Sequence, residues 1–166
     1  MPRCLVTGAS GFIGRHLVPE LSARGYQVRC LVRPSSDVSP FVGLPIELAY
    51  GDLIDGRGLE GAVEGVDSVF HLGGLIRARR RGDYRAVNAE GTGHLLEACV
   101  RGGRQLHRFV LVSSLAAAGP SVDGSRITEE SPSSPSSEYG RSKRAGEVAA
   151  LLYGDRLPIT ITRGSP

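Results

Sequence analysis

Residues 7–14 read TGASGFIG and lie between a short apolar run, CLV at 4–6, and a segment with apolar residues at helical spacing. A dinucleotide-binding turn needs a tight bend, a backbone without Cβ beside the pyrophosphate, and a helix N-terminus that attracts an anion. Gly8, Gly11 and Gly14 meet these needs, although their spacing is G-x-x-G-x-x-G rather than G-x-G-x-x-G. The alternative is a strand-to-helix turn that contains glycine for steric reasons alone.

Outward from this stretch, short apolar runs alternate with helix-period segments. The near-continuous apolar runs predict strands buried on both faces of a parallel sheet, and they lie at residues 4–6, 28–32, 46–50, 66–72, 109–112 and 159–161. Apolar residues at helical spacing lie between them, at Ile13, Leu17 and Leu21, at Leu59, Ala62 and Val63, and at Tyr84, Val87, Gly91, Leu95 and Ala98. Gly25 is expected to cap the first helix. This alternation predicts an α/β fold with a doubly wound parallel sheet, the Rossmann fold.

Length and composition indicate one soluble domain over residues 1–166. No segment approaches the roughly 20 apolar residues of a membrane span, and the N-terminus lacks a signal-peptide core, so we expect a cytoplasmic chain without a membrane partner. The net charge of +3 is too small to indicate a nucleic-acid partner. Cys4, Cys30 and Cys99 lack metal-binding spacing and are expected to be buried, reduced thiols. The Ser/Pro-rich piece at 131–138 is interpreted as a surface loop.

The end of the second predicted strand bears on the choice between NADP and NAD. An acidic residue there binds the ribose 2′-OH of NAD, whereas an arginine suits the 2′-phosphate of NADP. Arg33, with Ser35 and Ser36, favours NADP. Asp37 would serve a 2′-OH instead, and Arg33 in an arginine-rich chain is alternatively a solvated charge.

A Tyr, a Lys and a Ser form the candidate catalytic group. Tyr139 and Lys143 have i, i+4 spacing on a predicted helix, which places phenol and ammonium on one face. A phenol titrates near pH 10, so proton transfer at neutral pH needs an adjacent cation. Lys143 is the single lysine among 20 basic residues, which makes its position informative. Ser113 and Ser114 end the fifth strand, where ligands of open α/β sheets bind, unless they only satisfy loop backbone groups.

Seven motifs follow one another along the chain: TGASGFIG, LVRPSS, GDL at 51–53, HLGG at 71–74, NAEGT at 88–92, LVSSLAAAG and YGRSK. In this order they resemble the extended short-chain dehydrogenase/reductase family. That family contains NAD(P)-dependent epimerases, dehydratases and dihydroflavonol-reductase-like enzymes. The resemblance implies Tyr139 as general acid/base, Lys143 as the cation that favours its phenolate and holds the nicotinamide ribose, and Ser114 as the hydroxyl that polarises the substrate. It implies no metal, and these cofactor-binding residues: Gly8, Ser10, Gly11, Phe12, Ile13, Gly14, Arg33, Asp52, Leu53, Tyr139 and Lys143. Asn88 and His71 are interpreted as structural.

The sequence also departs from the family. HLGG replaces the commoner H-x-A-A, and Ala118 stands where many sugar-nucleotide epimerases carry Tyr, which weakens the case for an epimerase and leaves reductase-like members open. The TRGSP ending resembles the entry to a C-terminal substrate-binding part, so we expect a shortened chain without that part and a substrate that the sequence does not identify: a sugar nucleotide, a steroid, a flavonoid-like ketone or a lipid-linked sugar. The family also implies a homodimer. The alternative function is a non-catalytic NADP(H)-sensing module.

A cluster of arginines follows the fourth predicted strand, on the side of the sheet expected to hold cofactor and substrate. Its members are Arg77, Arg79, Arg80, Arg81 and Arg85. The cluster would steer an acidic or phosphorylated substrate. We prefer its interpretation as a solvated basic loop, because no aromatic residues interleave with the arginines to stack on bases.

Overall fold

The computed structural model, which describes residues 1–102, 105–121 and 124–164, contains a six-stranded sheet in the order β3-β2-β1-β4-β5-β6. Every adjacent pair of strands is parallel. The strands are β1 (Arg3–Thr7), β2 (Gln27–Val32), β3 (Ile46–Tyr50), β4 (Ser68–His71), β5 (Arg108–Ser114) and β6 (Ile159–Gly164). This order confirms the predicted doubly wound Rossmann fold. Ser165 and Pro166, at the TRGSP ending, lie outside the described residues.

Helices connect these strands at the predicted places. They are α1 (Phe12–Ala23), α2 (Leu59–Val63), α3 (Arg81–Arg85), α4 (Gly91–Arg101) and α5 (Glu138–Leu151). Two of the predictions need correction. The single helix expected around Tyr84 to Ala98 is interrupted by a π-helical turn at Ala86–Glu90. The predicted loop at 131–138 is one residue shorter, because the Ser137 hydroxyl caps the Gly140 N–H at 3.0 Å and Glu138 begins α5.

Both faces of the sheet are covered, which explains why its central strands are apolar without alternation. In β1, Leu5 packs into a cluster with Leu95 and Phe109, while Cys4 and Val6 pack into a second cluster with Val18. Successive side chains of a strand point to opposite faces, so both faces of β1 are buried. The three cysteines are buried and free, as predicted, and burial raises their pKa values to about 11 or 12.

Arg29 interrupts the apolar run of β2 and is nevertheless buried, with 7% of its surface exposed. Its guanidinium donates to the carbonyl oxygens of Ala62 and Glu64, at 2.9 and 2.7 Å, and forms an ion pair with Glu47. These oxygens belong to the C-terminal end of α2, which a cation stabilises. A buried charge is tolerated here because it is paired with the Glu47 carboxylate and bonded to backbone carbonyls.

The predicted cap at Gly25 is confirmed. Gly25 has φ +82° and donates its N–H to Ser22 O, while Tyr26 donates to Leu21 O. This pair of bonds is the Schellman arrangement that ends a helix. Among the residues that the structure describes, no helix is long and apolar enough to cross a membrane.

Candidate functional site

The glycine turn lies where β1 meets α1, at the C-terminal edge of the sheet. Gly8 has φ +66°, and a Cβ at this position would lie 2.7 Å from the backbone nitrogen of Gly73. Gly11 precedes α1, and no side chain caps the first N–H groups of that helix. Gly14 is buried, and a Cβ there would overlap the carbonyl oxygen of Ala9. The turn therefore has no space for side chains and leaves uncapped N–H groups at a helix N-terminus, which suits a pyrophosphate.

A cavity of about 270 Å³ opens beside this turn. Six of the predicted cofactor-binding residues line it: Gly8, Ser10, Gly11, Arg33, Asp52 and Leu53. The rest of the lining includes residues at the end of β2 and residues directly after β3 and β4. Phe12 and Ile13 instead expose 83% and 51% of their surfaces, so their contribution would be the N–H groups of the first turn of α1. The residues present fit a dinucleotide, because the glycine turn beside the cavity presents backbone without side chains, as a pyrophosphate needs.

Arg33 also lines a second cavity, of about 510 Å³, with Ser35 and Arg57. Asp37, the alternative contact for a ribose hydroxyl, is occupied elsewhere. Its carboxylate accepts from the Ser39 hydroxyl at 2.6 Å and forms an ion pair with Arg15 at 3.1 Å. The hydrogen bonds from Ser39, with a smaller effect of Arg15, lower the pKa of Asp37. Asp37 is therefore engaged with Ser39 and Arg15, and it is not among the residues that line these two cavities.

Ser114 and Lys143 lie at the C-terminal end of β5, and Tyr139 precedes Lys143 by one turn of α5. The Ser114 hydroxyl oxygen accepts from the Ala116 N–H at 3.2 Å, which leaves its proton available for a substrate carbonyl. Gly140 lets α5 approach this turn, because a Cβ there would overlap the carbonyl oxygen of Ala116. The residue before Gly140 is Tyr139, which therefore lies in the turn of α5 that packs against the residues after Ser114.

Lys143 is buried against β5, with 7% of its surface exposed. Its ammonium donates to the carbonyl oxygen of Val112 at 2.8 Å. Burial lowers the pKa of Lys143 to about 8, and the charge of Glu147 opposes part of that shift. At neutral pH the side chain therefore remains a cation, which is the state that would stabilise a phenolate.

Asn88 lies in the π-helical turn and joins three parts of the site. Its side chain accepts from the Leu75 N–H at 2.7 Å and donates to the Leu75 carbonyl at 3.0 Å and to the Ser142 hydroxyl at 2.9 Å. Ser142 donates to the carbonyl oxygen of Tyr139 at 2.7 Å. These contacts agree with the structural role expected of Asn88, which bonds the backbone of the loop after β4. Ser142 was missed, and its position directly before Lys143 was the available signal.

His71 is fully buried at the end of β4, which agrees with a structural role. Its Nδ1 lies 2.6 Å from the Thr7 hydroxyl, and its Nε2 lies 3.0 Å from the Thr92 hydroxyl. Since Thr92 donates its own proton to the Asn88 carbonyl, Nε2 carries the imidazole proton. Burial, with the Lys143 charge adding to it, lowers the pKa of His71 to about 3.

This burial predicts a loss of stability in acid. The unfolded chain takes up the His71 proton near pH 6.5, whereas the folded chain does so near 3. The free energy of unfolding should therefore fall as pH drops below about 6.5, by at most about 1.4 kcal/mol per pH unit from this residue. Urea unfolding at pH 7 and pH 5 measures the fall. His71→Gln should flatten it and the exposed His16→Gln should not; equal slopes in both variants would contradict the assignment.

The predicted basic loop is exposed, at Arg77, Arg79, Arg80 and Arg81. It leads into α3, where Arg85 forms an ion pair with Glu90 at 3.1 Å. The rings of Tyr84 and Tyr139 lie 6.2 Å apart, so α3 contacts the first turn of α5. The arginines therefore form a solvated basic loop, which is the interpretation that the sequence favours. This loop precedes the helix that contacts Tyr139.

The structure is a Rossmann fold whose glycine turn suits a dinucleotide, and comparison with known proteins gives the family. The sequence profile of the NAD dependent epimerase/dehydratase family matches residues 4–165, and the chain belongs to that family. The chain is 38% identical over 162 residues to sterol demethylase protein B of Methylococcus capsulatus, covering 95% of this chain and 49% of that protein. It is 41% identical over 145 residues to ceramide reductase of Caulobacter vibrioides, covering 87% and 40%.

Solved structures agree with these relatives. The structure of MoeE5 in complex with UDP-glucuronic acid and NAD superposes with a TM-score of 0.80 at 32% identity, covering 98% of this chain and 53% of that one. The family assignment confirms the resemblance to extended short-chain dehydrogenases/reductases. The chain spans about half the length of the curated relatives it matches, at 49% and 40%.

Proposed function

We propose that this chain is the cofactor-binding part of an NAD(P)-dependent oxidoreductase or epimerase/dehydratase that transfers hydride between nicotinamide and a carbinol or carbonyl carbon. The observation that carries the proposal is the closeness of the glycine-lined cavity to the residues at the end of β5: Lys143 Nζ donates to the Val112 carbonyl at 2.8 Å and lies 3.6 Å from the Cβ position of Gly74, which lines the cavity. Both groups of residues lie at the C-terminal edge of the sheet, where open α/β folds bind ligands. When bound, the dinucleotide supplies the hydride donor or acceptor.

The protein residues would handle the proton. Tyr139 would donate it to a carbonyl oxygen during reduction and accept it from a hydroxyl during oxidation. Ser114, whose proton is free to donate, would polarise the same oxygen. Lys143 would stabilise the ionised phenol from one helical turn away and bind the nicotinamide ribose. The substrate would lie in front of Ser114, where a cleft of about 510 Å³ is lined by Leu115, Ala118 and Ile161 among others.

NADP is the cofactor that the residues favour. Arg33 lines both cavities at the end of β2, and Ser35 lines the larger one. An arginine fork matches the geometry of a phosphate, and two hydroxyl or guanidinium neighbours would complete the site. Asp37 is held by Ser39 and Arg15, which removes the main argument for NAD. The solved relative above contains NAD, so cofactor choice needs direct measurement.

A fluorescence titration of this chain with NADPH and NADH in parallel provides that measurement. We expect NADPH to bind at least tenfold more tightly, a difference of about 1.4 kcal/mol. Arg33→Gln should remove the preference by weakening NADPH alone, because NADH carries no 2′-phosphate. The control is Arg24→Gln, which lies at the other end of α1 in an ion pair with Glu20. Tighter binding of NADH to the unchanged chain would overturn the NADP assignment.

A non-catalytic NADP(H)-sensing module is the second candidate, because the matched relatives extend well beyond this chain. The sensor hypothesis accounts for the glycine turn and for Arg33. It gives no reason for a proton-transfer group, whereas Ser114 ends β5 and Tyr139 and Lys143 lie one turn apart on α5. Among enzymes, the buried Ala118 favours a reductase-like member over a sugar-nucleotide epimerase.

A further inference from the structure

Glu147 is a fully buried carboxylate that the proposed reaction does not use. It lies on α5 one helical turn after Lys143, and none of its surface is exposed. Buried glutamates are rare unless they are paired. Because Glu147 follows the buried Lys143 by one helical turn, its negative charge should act on that lysine.

Two arginines hold the carboxylate in place. Arg163 of β6 donates to both carboxylate oxygens, at 2.8 and 2.7 Å, and Arg144 donates to one of them at 2.9 Å. The Arg163 backbone pairs in register with Ser113. Burial alone raises the pKa of Glu147, but the hydrogen bonds and charges of its partners, Arg163 first, lower it overall. Glu147 is therefore a fixed negative charge.

Lys143 has few other charges to balance it. From β4 it faces His71, which is neutral because burial lowers its pKa to about 3. From the loop after β4 it faces Gly74, whose Cβ position lies 3.6 Å from Nζ. On α5 its neighbours at helical spacing are Tyr139 and Glu147, and β5 offers the uncharged Val112 carbonyl. The arginine bound to Glu147 from β6 adds a repulsive charge behind the carboxylate.

We infer that Glu147 is a positioning residue for the proposed reaction: its buried carboxylate, fixed by Arg163 and Arg144, keeps the Lys143 ammonium charged. The inference rests on the proposed function only where it assigns the Lys143 charge a use in the reaction. The charge of Lys143 itself is a property of this chain. Residues at i, i+4 on a helix are neighbours, and charges interact more strongly in the interior than in water.

Removing this carboxylate has two effects of the same sign on Lys143. The attraction disappears, and the Arg163 and Arg144 charges that Glu147 neutralised become repulsive. Glu147→Gln is therefore expected to lower the pKa of Lys143 from about 8 by about one unit or more. Lys143 would then be largely neutral at physiological pH and unable to stabilise a phenolate.

The single lysine allows a direct test. Growth on isotope-labelled lysine labels Lys143 alone in this 166-residue chain, and NMR follows its Cε signal with pH. We expect a downward shift in Glu147→Gln. The matched control is Glu138→Gln, which removes an exposed carboxylate of the same helix paired with Arg141, and should move the pKa by a few tenths at most. An unshifted Lys143 in folded Glu147→Gln would overturn the inference.

Unfolding does not imitate the expected result, because a lysine in an unfolded chain titrates near 10.4 and would move the other way. A thermal transition confirms folding of each variant. If Glu147→Gln does not fold, Arg163→Gln provides the test instead. This substitution leaves the Glu147 carboxylate less neutralised, so it should raise the pKa of Lys143. An unchanged pKa of Lys143 in folded Arg163→Gln would overturn the inference. NADPH titration of the unchanged chain tests the proposed function separately, since failure to bind leaves the Lys143 titration intact.

Discussion

Replacing Tyr139 with Phe is expected to reduce turnover of the whole protein by roughly a hundred- to ten-thousand-fold while leaving dinucleotide affinity unchanged. The substitution removes the hydroxyl that would carry the proton and keeps the ring that lies 6.2 Å from Tyr84. Turnover is measured by nicotinamide absorbance, with carbonyl and alcohol substrates drawn from the sugar, steroid and flavonoid classes. The loss should appear in kcat at saturating cofactor.

Two controls separate chemistry from folding in this experiment. Tyr84→Phe alters the other ring of the same contact, so it should retain turnover if the Tyr139 hydroxyl alone carries the proton. NADPH titration of Tyr139→Phe should match that of the unchanged chain. Full turnover in Tyr139→Phe would refute the assignment of Tyr139 as general acid/base and would strengthen the sensor hypothesis.

Gly14→Ala should be the most damaging glycine-to-alanine substitution in the glycine turn. Its Cβ would overlap the carbonyl oxygen of Ala9 and lie 2.5 Å from the Ala9 Cα, both of which are backbone atoms that a rotamer change does not relieve. Overpacking of this kind costs about 3 kcal/mol or more of stability. The first turn of α1 must also move away from β1, so NADPH affinity should fall at least about tenfold.

The comparison variant for this prediction is Gly93→Ala. Gly93 lies in α4 with no heavy atom within 4 Å of its Cβ position, so alanine there should stabilise the chain by up to about 1 kcal/mol. Urea unfolding and NADPH titration of both variants measure the two effects. Equal stability in the two variants would show that α1 relaxes freely from β1 and would contradict the close packing described here.

Much of the fold was predictable because its local signals agree. Apolar runs without alternation marked the six strands, and their alternation with helix-period segments indicated a doubly wound sheet. Other features were not predictable. The π-helical turn at Ala86–Glu90 has no local signal, because it is stabilised by bonds from Asn88 to Leu75 and Ser142, which are distant in sequence.

The candidate site divides in the same way. Arg33, Asp52 and Leu53 were predicted at strand ends and line the cavity. The predicted binding role of Phe12 and Ile13 stays a prediction that involves only their backbone, since their side chains are exposed. Glu147 gave no signal as a functional residue, because a glutamate on a helix is normally solvated and its burial depends on Arg163 of β6.

The sequence by itself determined the parallel sheet, the phosphate turn and the Tyr139 and Lys143 pair, because these depend on residue types at fixed short spacings. The tertiary structure alone decided which charges are buried beside them. Burial and partner choice arise where strands and helices far apart in sequence pack together, as α5 does on β5 and β6. Desolvation and the positions of Glu147 and Arg163 then set the charge of Lys143. No local pattern in the sequence encodes the positions of these residues relative to one another.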